Sequence, residues 1–179
     1  MTAPSRVQRL ATTWPTLHLE AEIPEFDALV VDGAVRHPRR FGLDELRRLG
    51  GKERAIALHC VWGWSRPDAS WTGLDMRVLM SLVEPEGDWV TVSSASRVYS
   101  ACLPRADAQR GILAWARDGE PLEPSAGGPL RFVPPADYWA YKGVKWSARI
   151  TVSDHFRPGP WESRVADPMG RIPEEVLSP

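Results

Sequence analysis

Cys60 ends an apolar run and sits among aromatic and imidazole groups in the string LHCVWGW, Leu58 to Trp64. A thiolate is a soft anionic donor that suits a soft or high-valent metal. The end of a strand, where a rigid element hands over to a loop, is a usual place for such a group. A cysteine in this setting can equally be a small apolar residue in the core. The string alone leaves both readings open. Trp62 and Trp64 beside it carry rigid apolar area able to wall a pocket.

A second concentration of chemistry lies between Arg131 and Arg149. It holds Arg131, Lys142, Lys145 and Arg149 against one acid, Asp137, in a chain whose formal net charge is −1. Gly143 separates the two lysines, and a residue without Cβ lets backbone N–H groups approach a ligand closely. Ammonium groups and N–H donors together can hold a phosphate. A solvated basic surface is the competing reading.

Other chemistry is excluded by what the sequence lacks. There is no Gly-x-Ser-x-Gly, no phosphate loop, no Gly-x-Gly-x-x-Gly and no His-Glu-x-x-His. His18, His37, His59 and His155 are scattered, and Cys60 and Cys102 lack zinc-ligand spacing. Two cysteines are too few for a disulfide framework. The near-neutral charge argues against nucleic acid and anionic membrane surfaces as partners. No apolar run reaches the roughly 20 residues of a spanning helix. The first twenty residues contain no apolar export segment, which predicts a cytoplasmic protein.

The elements that must position these groups are short. The 179 residues fit one domain, 1–179, with 43% hydrophobic and 25% charged residues. Residues 1–16 read as a loose lead-in and 157–179 as a surface tail. Strands are predicted over 28–33, 54–61, 148–152, within 88–104 as a pair, and within 127–135; 112–116 is an apolar run. Helices are predicted over 42–50 and 75–83, with a short helix or turn at 105. On the strand 54–61, parity puts Ile56, Leu58 and Cys60 on one face and Ala55, Ala57 and His59 on the other. Strands outnumber helices without alternating with them, which predicts an α+β fold with mixed β-sheets and short helices.

Taken in order, LHCVWGWSRPDASWTGL, DGEPLEPSAGGPLRFVPPADYWAYKGVKW and PGPWESRVADP resemble the sulfite-oxidase-type molybdopterin-binding oxidoreductases, above all small stand-alone bacterial members. The resemblance runs from about Ala28 to Pro168. It implies a sulfite-oxidase-like molybdopterin-binding domain that moves an oxygen atom to or from a small substrate. It implies molybdopterin as cofactor, with Cys60 as the metal's thiolate ligand. Lys142, Gly143 and Lys145 would hold the phosphate, with Arg131 in the cofactor site. His59, Trp62 and Ser100 match pocket positions. Electrons would pass to a separate partner, because the haem-binding and dimerisation domains of larger relatives are missing.

A second reading stays beside it. Trp62 and Gly63 stand where members usually carry threonine and arginine, Ala101–Cys102 where they carry threonine and asparagine, and Ala126 where histidine or asparagine is usual. These replacements suit a cofactor-free descendant that binds or transforms a small apolar molecule in a Trp-lined pocket. Either way, Cys60, Trp62, Trp64 and Arg131 are expected to converge on one cavity.

Overall fold

The structure, a computed structural model, describes residues 9–10 and 22–177. Three mixed or antiparallel sheets and a few short helices make an α+β domain. The strands, in chain order, are β1 (Arg9–Leu10), β2 (Leu29–Gly33), β3 (Arg39–Phe41), β4 (Lys52–Ala55), β5 (Leu58–Cys60), β6 (Trp64–Arg66) and β7 (Ser70–Asp75). They continue as β8 (Trp89–Ser94), β9 (Ser100–Pro104), β10 (Ile112–Arg117), β11 (Glu120–Pro121), β12 (Arg131–Val133) and β13 (Ser147–Ser153). The helices are α1 (Leu43–Arg48), α2 (Met76–Val83), α3 (Arg105–Ala108) and α4 (Glu174–Leu177).

One five-stranded sheet has the order β3-β2-β13-β8-β9. Its centre, β13, runs parallel to β2 and antiparallel to β8. The second runs β11-β10-β7-β4, with β12 also on β10. The smallest joins β1, β6 and β5.

The local reasons are readable. Leu29 and Val31 are fully buried at alternating positions of β2, the period of a half-buried strand. In α2, Met76, Leu79, Met80 and Val83 fall on one buried face at helical spacing. Asp75 caps that helix by accepting from the Arg77 N–H at 3.1 Å.

Two apolar clusters result. The larger packs Leu29, Phe41, Leu46, Leu79, Val92 and Ile150 between the first sheet and α2. The smaller holds Ile56, Leu58, Trp71, Ile112, Ala114 and Val133, with Trp64, Ala126 and Ala140 against it.

The single strand expected over 54–61 is two strands. The chain departs at Ile56, whose N–H bonds the Ala69 carbonyl and whose carbonyl takes the Trp71 Nε1–H. Burial parity survives the break, since Ile56 and Leu58 are buried and Ala55 is exposed. The lead-in over 1–16 lies outside the described residues except for Arg9–Leu10, which pair in parallel with Trp64–Ser65. In the expected tail over 157–179, residues 178–179 lie outside the described residues. Other parts of it enter the interior, for Glu162 is 2% exposed and Ile172 6%. Among the described residues, no helix is long and apolar enough to cross a membrane.

Candidate functional site

The segment 139–146 is the spine on which most of the singled-out residues meet. A parallel bridge joins His59 to Trp139, setting Cys60 beside Ala140. An antiparallel bridge joins Phe132 to Val144, so Arg131 lies across from Lys145. The Tyr99 hydroxyl donates to the Tyr141 carbonyl, which ties Ser100, the next residue, to the same segment. Trp146 holds φ at +50°, a region that bulky residues rarely enter. Its N–H to Gly127 O, 3.0 Å, and its Nε1–H to Pro124 O, 2.8 Å, hold it there.

Cys60 occupies the first corner of the β5–β6 hairpin. The Gly63 N–H closes the turn on the Cys60 carbonyl at 2.9 Å, and Gly63 takes φ +83°. The thiol is half-buried, and burial pushes its pKa up. The Trp62 backbone N–H works in the opposite direction, but burial outweighs it, so the protein's own surroundings favour the thiol over the thiolate. His59 Nδ1 lies 2.8 Å from Ser65 Oγ. Burial lowers the pKa of that imidazole, so it is neutral at neutral pH.

Trp62 departs from the expected pocket. It is a middle residue of the hairpin turn and stands 61% exposed. Its ring meets Trp161 edge-on at 6.0 Å and 80°. Its partner's Nε1 is buried without a hydrogen-bond partner. Trp64, by contrast, packs on the smaller apolar cluster.

Lys142 is the main correction. The expected phosphate contact needs a donor facing a ligand, yet this side chain is fully buried. Its ammonium donates to Cys102 O at 2.8 Å, to Pro168 O at 2.7 Å and to the Glu162 carboxylate. An ammonium has three N–H donors, and all three are used. Glu162 is equally committed, accepting from the Cys102 N–H at 2.9 Å and the Gly159 N–H at 2.6 Å. Burial is the first influence on Lys142 and lowers its pKa, while Glu162 works in the opposite direction. Gly143 is packed inward; a Cβ there would lie 3.2 Å from the Ala140 and Phe132 carbonyl oxygens.

Lys145 and Arg131 do come together. Three successive carbonyls of the 3-10 turn 124–126 are clasped by Trp146 Nε1, Lys145 Nζ at 2.9 Å and Arg131 Nη1 at 3.0 Å. Arg131 Nε is buried with no hydrogen-bond partner. Its guanidinium stacks over the Trp71 ring at 5.3 Å. Burial, with the like charge of Arg117 behind it, pulls Arg131 down to about 10, so it remains a cation at neutral pH.

Glu162, Trp71, Arg117 and Trp161 escaped sequence reasoning. The only available signal for Glu162 was the mismatch of a lysine placed in an apolar context without a nearby acid.

The family described as the oxidoreductase molybdopterin binding domain matches residues 18–161. The uncharacterized oxidoreductase YuiH of Bacillus subtilis is 32% identical over 87% of this chain and 81% of its own length. The catalytic subunit of the protein-methionine-sulfoxide reductase MsrP of Gluconobacter oxydans is 30% identical over 79% of this chain. The matched region is about half of that relative, 52%. In fold, the chain is similar to the sulfane dehydrogenase SoxCD of Paracoccus pantotrophus, with a TM-score of 0.63 and 23% identity. That match covers 76% of this chain and 40% of the other.

Proposed function

The chain belongs to the molybdopterin-binding oxidoreductase domain family, and on that footing we propose that it holds molybdopterin through Cys60 and Arg131 and acts on a small substrate. The observation that carries this is the Cys60 thiol, half-exposed at the corner of its hairpin and set beside Ala140. The enclosed Arg131 Nε–H adds a donor with no protein acceptor. A soft sulfur donor and an unsatisfied cationic donor are the chemistry that a metal and an anionic pterin tail require. When bound, the cofactor would supply a two-electron centre at molybdenum that exchanges an oxygen atom with the substrate.

The chain's own residues do the rest. Cys60 keeps its proton in the metal-free protein, and the positive charge of a metal is what would release it. His59, neutral and anchored on Ser65, adds no charge to compete with the thiolate. Lys145 and Arg131 supply cations at the other end of the 139–146 segment. Lys142 acts as a positioning residue, pinning that segment to β9 and Glu162. Trp62 and Trp161 form an aromatic rim next to the Cys60 turn. Electrons would leave through a separate partner, and the reading includes a cytoplasmic protein.

One observation favours the cofactor-free alternative: the commitment of Lys142 to Glu162 removes a cation from the expected phosphate site. Metal analysis after expression in a cofactor-making host separates the two. About one molybdenum per wild-type chain, lost in Cys60→Ser with the fold intact, is expected for a thiolate-held metal. A wild-type protein folded but free of molybdenum would overturn the first reading.

A further inference from the structure

Arg131 has a neighbour of its own sign. The registers Arg117 with Trp71, Ala114 with Gly73 and Ala114 with Arg131 place these side chains on one face of the second sheet. Both guanidiniums rest against the indole of Trp71, which is fully buried, at 5.3 Å for Arg131 and 5.9 Å for Arg117. A third cation, Arg66, adds its repulsion to Arg117. Among the described residues, the acids that act on this pair act on Arg117. Asp118 lies 3.8 Å from Arg117 Nε, and Glu123 acts on the same group from further away. Asp118 is itself held by the Ser70 N–H at 3.0 Å. Among the described residues, Arg131 forms no ion pair, and its Nε–H is enclosed without an acceptor.

Two like charges on one aromatic plate repel, and an enclosed N–H with no acceptor has lost its hydration without a replacement hydrogen bond. A single phosphate addresses both: it offers oxygens to the Nε–H and negative charge between the two guanidiniums, and a guanidinium fork suits its geometry.

We propose that Arg117 and Arg131, backed by Trp71, form one two-arginine site for a phosphate group, so that Arg117 is a binding residue of this chain. The proposal rests on the functional reading above for the source of that phosphate, the cofactor's ester, but the site should also take free inorganic phosphate.

The test is calorimetric titration of the metal-free protein with inorganic phosphate at neutral pH. The wild type is expected to bind one phosphate, and Arg117→Gln to bind it about tenfold more weakly, the loss of one charge-assisted contact. Arg117→Lys should recover part of the affinity, since it restores charge without the fork. Arg164→Gln, at an exposed position elsewhere, should bind as the wild type does. Circular dichroism establishes that each variant is folded. No phosphate binding by the wild type, or equal affinity in Arg117→Gln and wild type, overturns the proposal. Because the titration needs no molybdenum, its failure is distinct from a missing metal in the cofactor test. Phosphate binding by a chain that never acquires molybdenum would identify the free anion as the source.

Discussion

Removing the carboxylate of Glu162 should be the most costly single change in the C-terminal segment. Glu162→Leu keeps bulk but deletes the acceptor shared by Lys142 Nζ, the Cys102 N–H and the Gly159 N–H. Lys142 then stays buried as a charge with only the Cys102 and Pro168 carbonyls for company. Breaking one partner of a buried pair costs about 3–5 kcal/mol. Each orphaned backbone donor adds up to about 1–3 kcal/mol, partly relieved if water reaches it. A loss of at least about 4 kcal/mol follows, against a total stability of about 5–15 kcal/mol for a domain. At about 2–4 °C per kcal/mol, the midpoint of thermal unfolding should fall by about 8–16 °C. The assay is urea unfolding followed by circular dichroism with linear extrapolation. The double variant Lys142→Met/Glu162→Leu removes both charges and should recover about 1–3 kcal/mol relative to the sum of the single changes. A cost below about 1 kcal/mol for Glu162→Leu, or strict additivity in the double variant, would refute the buried pair.

Iodoacetamide at pH 8 should modify Cys60 slowly and Cys102 not at all in the native protein, since burial raises both thiols and encloses Cys102 completely. Peptide mass mapping showing Cys102 modified faster than Cys60 would contradict the structure. The same raised thiols link stability to pH: folded cysteine keeps its proton where the unfolded chain loses it, near pH 8.5. That contribution is complete below this pH and fades as pH rises through the folded value. Urea unfolding between pH 7.5 and 9.5 should therefore show a steeper fall in wild type than in Cys60→Ser/Cys102→Ala. An identical slope in the two proteins would remove the linkage. Gly127→Ala should destabilise more than Gly119→Ala, though both glycines have positive φ, at +98° and +85°. A Cβ at Gly127 would lie 2.7 Å from Lys145 Cγ, whereas one at Gly119 meets nothing within 4 Å. Equal unfolding midpoints for the two variants would show that Lys145 yields freely.

What the sequence disclosed was whatever has a local signature. The helix at 76–83 announced itself by apolar period and by the stop before Pro85, and it forms within a residue of expectation. The Ala28–Gly33 strand and the strands flanking residues 94–96 had alternation and turn residues to mark them. The strand Ser70–Asp75 was hidden because Gly73 and Thr72 dilute its apolar pattern; its identity comes from pairing with β4 and β10. Part of the site was legible in the same uneven way. Arg131 and Lys145 lie across from each other, and both reach the 124–126 turn. Lys142 carries the same type of charge one turn earlier, yet its role is set by an acid twenty positions downstream. No periodicity links those two residues. Trp62 was read as a pocket wall because tryptophan is usually buried in part, but turn geometry at Gly63 turns it outward.

The placement of β13 has a consequence for synthesis on the ribosome. It is the central strand of its sheet, yet Thr151 bonds Asp32 across 119 positions. At about 5–20 residues per second, β2 waits roughly 6–24 seconds for its parallel partner. Until then the β2–β3 hairpin and the β8–β9 hairpin are separate pieces, each with an open edge and an uncovered apolar face. Nascent chains of this protein should accordingly be clients of chaperones that shield strand edges. A pause in translation placed before Ser147 should raise aggregation more than one placed after Ser153.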